Sequence, residues 1–89
     1  MTPSTMSNHT ELITTRLSSG TYIAKCGKWT CSSTSSHQTA ASHLVQKFLG
    51  DAFTAWPAPE AKRAAMLSGV GKNRHDWEWE MFRIIRRPI

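Results

Sequence analysis

The chain is short of the residues that usually announce chemistry. Its 89 residues include two cysteines, one tyrosine and six carboxylates. Two cysteines are too few for the disulfide framework of a small secreted domain and fit a reducing compartment. No apolar run approaches the ~20 residues that span a bilayer as a helix. The opening stretch "MTPSTMSNHTE" has neither a basic start nor an apolar segment, so it does not read as a secretory signal. These absences predict a soluble cytoplasmic protein with no membrane contact. The length predicts one small domain over residues 1–89, with residues 1–10 flexible and little room for an enclosed catalytic cleft.

Catalytic and cofactor motifs are also lacking. "GVGKN" has no hydroxyl residue after its lysine and does not follow a strand, so it is not a phosphate loop. His75 and Asp76 are neighbours without a nucleophile, and such a loop pair is usually solvated. The reading is therefore not an enzyme, with no catalytic residue and no cofactor.

What is present begins with "CGKWTC", residues 26–31, followed by His37 and His43. As a zinc site the spacing would be C-x4-C-x5-H-x5-H, whose central gap is far too short for a zinc finger. On a helix, His37 and His43 point about 120° apart at ~100° per residue, so they do not converge on one ion. The two cysteines read instead as small packing residues on a hairpin, and no metal site is expected.

The hairpin reading fixes a register. If Ser19-Gly20 and Gly27-Lys28 are two-residue loops, Leu17 pairs with Tyr22, Thr15 with Ala24, Cys26 with Trp29, and Ala24 with Cys31. Paired residues share a face. Ile13, Thr15, Leu17, Tyr22, Ala24, Cys26, Trp29 and Cys31 then lie together. Thr14, Arg16, Lys25, Thr30 and Ser32 take the other side, and Ile23 is the one misfit. A one-residue slip would destroy this agreement.

"SSHQTAASHLVQKFLG" reads as a helix, with Ser35 and Gln38 at capping-box spacing and Gly50 at its end. Ala40, Ala41, Leu44, Val45 and Phe48 form its apolar stripe. "WPAP" (56–59) reads as a break, and "PEAKRAAML" as a short helix with Pro59 in its first turn. In "WEWEMFRII" aromatic and β-branched residues favour a strand over a helix. The predicted fold class is α+β: an antiparallel meander, one packed helix, a short second helix and a C-terminal strand.

The net charge is +5, and Lys62, Arg63, Lys72, Arg74, Arg83, Arg86 and Arg87 place most of the surplus after residue 60. Such a surplus serves nucleic acid, an acidic protein surface or solubility alone. The predicted binding residues are Lys72, Arg74, Arg86, Arg87 and Arg83, with Lys25 and Lys28 from the meander. Four tryptophans are many for this length; most belong to the core, with Trp56 or Trp79 the candidates for a binding surface.

Two resemblances follow. "GKWTCSSTSSHQTAASHLVQKFLG" is similar in outline to the later part of a double-stranded RNA-binding domain. That family opens its second helix with phosphate-gripping lysines, where this chain has Ser35, Ser36, His37, Gln38 and Thr39, and it has an N-terminal helix that is missing here. Secondly, a very small, lightly basic β-β-β-α chain with a Ser/Thr-rich start resembles the accessory proteins of phages and mobile elements, anti-CRISPR proteins among them. This likeness is of type, and no functional residue carries over from it. It implies a binding protein that blocks a host nucleoprotein defence complex, such as a Cas effector complex, by covering its surface. The alternative partner is nucleic acid itself, bound largely without regard to sequence.

Overall fold

The computed structural model describes residues 12–87. Residues 1–10, expected to be flexible, lie outside the described residues.

The chain forms β1 (Leu12–Ser18), β2 (Thr21–Cys26), β3 (Trp29–Ser33), α1 (His37–Leu49), β4 (Phe53–Pro57), α2 (Pro59–Leu67) and β5 (Trp79–Arg86). The five strands make one antiparallel sheet in the order β3-β2-β1-β5-β4. The C-terminal strand is thus interior, between β1 and β4. The α+β class and the meander are as the sequence predicts.

The meander has the predicted register: Leu17 faces Tyr22, Thr15 faces Ala24, Ala24 faces Cys31 and Cys26 faces Trp29. Its turns differ in type. Ser19 and Gly20 both have positive φ, 51° and 80°, as a type I′ turn requires, whereas Gly27 at 60° leads a type II′ turn. Ile13, Ala24 and Cys26 are buried on the inner face with Phe82 and Ile84 of β5 and Ala55 of β4. Against them α1 sets Ala40, Ala41, Leu44 and Val45. Phe48, the last residue of the stripe, is at the rim, where its ring stacks on half-buried Trp29 at 4.9 Å and 3° between planes.

The helix starts one residue later than the capping-box spacing suggests. Ser36 is the N-cap, accepting the Thr39 backbone N–H at 3.0 Å. His37 in the first turn packs edge-on to Tyr22 and has structural partners. Its Nε2 donates to the Trp77 carbonyl at 3.0 Å, and its Nδ1 is hydrogen-bonded to the hydroxyl of fully buried Thr15 at 2.7 Å. Cys26 and Cys31 are not joined in a disulfide.

The expected break at "WPAP" is where β4 ends. The Ala58 N–H donates to the Met81 carbonyl, which puts neighbouring Pro57 at a position whose nitrogen faces the open sheet edge. A proline is tolerated there because no ladder bond is lost. From this edge α2 continues across the N-terminal half of β5.

Candidate functional site

α1 covers one face of the sheet. Strand alternation puts Thr14, Arg16, Ile23, Lys25, Thr30, Ser32, Met81, Arg83 and Trp56 on the other. Its middle row runs Thr30–Lys25–Thr14–Met81 across four strands. The next row in one direction is Ser32–Ile23–Arg16–Trp79, and β1, β5 and β4 contribute Leu12–Arg83–Trp56 in the other. Arg16 and Lys25 are diagonal neighbours, about 7–8 Å apart at the backbone. Trp56 is 61% exposed, an unusual position for so large an apolar side chain.

Trp79 belongs to this face but is buried, at 3% exposure. Gly71 packs on it so closely that a Cβ there would lie 2.7 Å from the indole. The loop bearing Lys72 and Arg74 is thereby held over Trp79, the cross-strand neighbour of Arg16. Of the two tryptophans considered for a binding surface, Trp56 is accessible and Trp79 is covered.

The cations predicted from the sequence therefore divide. Lys25 and Arg83 are on the open face, Lys28 is in the turn at its margin, and Lys72 and Arg74 border it. Arg86 points to the α1 side, its guanidinium 5.1 Å from the Phe53 ring centroid. Arg87 extends the β4–β5 pairing, donating its backbone N–H to Ala52 O at 2.8 Å and its Nε to Phe53 O at 3.3 Å. The C-terminal basic residues thus do not form one surface: Lys72 and Arg74 are at the start of β5 and Arg86 and Arg87 at its end, a strand of ~25 Å.

Part of the C-terminal charge is also neutralised internally. Arg83 donates to the Glu60 carboxylate at 2.8 Å, and this hydrogen bond holds the Glu60 carboxyl below the ordinary carboxylate range. Buried Lys62 donates to Asp76 O at 2.6 Å, Trp79 O at 2.9 Å and the Glu80 carboxylate at 3.2 Å, with the Asp76 carboxylate also at 3.2 Å. It closes the stretch of β5 edge that β4 does not reach.

The signal missed in the sequence is an absence. Between Glu11 and Asp51 there is no acidic residue, while Arg16, Lys25, Lys28 and Lys47 fall in that interval. None of these four has an ion-pair partner among the described residues. The positive field of the folded meander is therefore stronger than the whole-chain count suggests.

Among the described residues no three His, Cys, Asp or Glu side chains gather as metal ligands would. No helix among them is long and apolar enough to cross a membrane. No protein-family model matches the chain, and neither a curated protein nor a solved structure matches it.

Proposed function

We propose that this is a small binding protein that blocks a host nucleoprotein defence complex by covering part of its surface, in the manner of anti-CRISPR proteins. It would act in the cytoplasm of a bacterial host, with a Cas effector complex as the partner of that type. The supporting observation is the open sheet face: exposed Trp56, with Arg16 and Lys25 in no ion pair among the described residues, on strands that carry no carboxylate on that side. Tryptophan and arginine are the residues that most often dominate binding energy at interfaces. A guanidinium pairs equally with the carboxylates of an acidic protein surface and with phosphate.

The test is guide-directed DNA capture by a panel of purified Cas effector complexes, with and without the protein. Stoichiometric loss of capture by at least one complex is expected, and its recovery with the variant Arg16→Ser/Lys25→Ser/Trp56→Ala. Unimpaired capture across the panel removes this reading. The alternative, direct nucleic-acid binding, is distinguished by titrating duplex DNA with the protein alone. Phosphate contacts would then weaken steeply with salt, roughly as the number of phosphates neutralised.

A further inference from the structure

The edge of β3 has features that the open face does not explain. Edge strands are normally blunted by a charge, a proline or a bulge, because their unpaired backbone groups invite another strand. The opposite edge strand follows that rule, ending in Pro57. β3, "WTCSS", has none of these devices.

The hairpin geometry tells which backbone groups are open. Across the two-residue Gly27-Lys28 loop, Cys26 and Trp29 form the closing hydrogen-bonded pair, and Ala24 with Cys31 forms the next. Trp29, Cys31 and Ser33 therefore turn their N–H and C=O groups to β2. Thr30 and Ser32 turn theirs outward, and both residues are exposed. Alongside runs a groove of about 450 Å³ lined by Ile23, Thr30, Cys31, Ser32 and Lys47. Ile23, the apolar misfit of the outer face, is part of its floor.

We infer that the β3 edge accepts an extended acidic peptide segment of a protein partner as a sixth strand. Thr30 and Ser32 would each exchange an N–H···O=C pair with it, the mode of recognition known as strand addition. Charge decides the occupant. Lys25 flanks Thr30 on the outer face, Lys28 is in the turn at one end, and Lys47 stands on the α1 side. None of the three is in an ion pair among the described residues. A residue paired with Thr30 or Ser32 would direct its side chain to the outer face, beside Lys25 or Ile23. The residue between them would face Lys47, where a carboxylate fits. This inference rests on the reading of the protein as a binding module, but it uses the edge of the sheet and not its face.

The probe is a displayed library of random decapeptides selected on the whole protein, followed by a synthetic peptide of the selected consensus. Acidic, β-prone sequences should be enriched, and the peptide should shift the amide resonances of Thr30 and Ser32 most. Thr30→Pro, which removes an outward N–H without touching the ladder, should weaken binding about tenfold or more, while Thr30→Val changes it less than about twofold. Lys28→Glu/Lys47→Glu should weaken it similarly while leaving the backbone intact.

The inference is overturned by any of three results: no enrichment, shifts centred on Arg16 and Trp56, or a concentration-dependent dimer abolished by Thr30→Pro. The last would make a second copy the occupant. If peptide binding at Thr30 and Ser32 persists while no effector complex is inhibited, the edge site stands and only the proposed target falls.

Discussion

The Lys62 ammonium lies 2.9 Å from the carbonyl oxygen of Trp79, supplying the donor that a neighbouring strand would otherwise provide. It is simultaneously 5.1 Å from the Trp79 ring centroid, so one cation serves both the backbone and the indole of one residue. α2 thus stands in for a longer β4, and the loop that carries Lys72 and Arg74 is anchored through the same tryptophan.

Lys62→Met should accordingly be costly although it keeps the length of the side chain. It leaves the Trp79 and Asp76 carbonyls without their donor and Glu80 without its counterion. A loss of about 2–4 kcal/mol is expected, measured by urea unfolding. A loss below about 1 kcal/mol would mean that water replaces the ammonium freely.

Gly71→Ala and Gly69→Ala separate strain from collision. Both glycines have positive φ, 73° and 95°, but only at Gly71 would a Cβ meet the Trp79 ring. Gly69→Ala should cost about 1 kcal/mol through backbone strain, and Gly71→Ala about 2–3 kcal/mol because packing is lost as well. Equal costs would show that the loop does not pack on Trp79.

The Trp29–Phe48 stack carries the rim of the core. A double-mutant cycle with Trp29→Ala and Phe48→Ala should return a coupling of about 0.5–1.5 kcal/mol. Additive losses would place the two rings apart. Because Trp29 is only half-buried, its own truncation should cost nearer ~2–3 kcal/mol than the larger values of enclosed tryptophans.

Glu60 has a lowered pKa in the folded protein, caused first by its hydrogen bond from Arg83. A depressed carboxylate favours folding above its unfolded value, and that contribution disappears as pH falls through the lower folded value. Carboxyl titration by NMR should show the Glu60 midpoint rising in Arg83→Gln. An unchanged midpoint would mean that the pair does not persist in solution.

The meander was readable because two glycine-containing turns and eight alternating residues agree on a single register. β4 was not, because "WPAP" has the composition of a break. Only the sheet order reveals that Pro57 turns its nitrogen to an open edge. Lys62 was equally hidden: in "PEAKRAAML" a lysine reads as solvated, and its burial follows from where β5 lacks a neighbour. For the candidate site, charge counted along the chain does not show which cations share a surface or are paired. Folding pairs Arg83 with Glu60 and sends Arg86 to the α1 side, whereas the carboxylate-free meander keeps its cations unpaired.

The central claim is that the open face, and not the C-terminal arginines, makes the contact. The most direct measurement compares the affinity of an inhibited effector complex for three proteins: the parent, Arg16→Ser/Lys25→Ser/Trp56→Ala, and Arg86→Ser. We expect the face variant to bind about tenfold or more weakly, ~1.4 kcal/mol, with an unchanged melting temperature, and Arg86→Ser to match the parent. Parent-like affinity in the face variant, or a loss confined to Arg86→Ser, would contradict it.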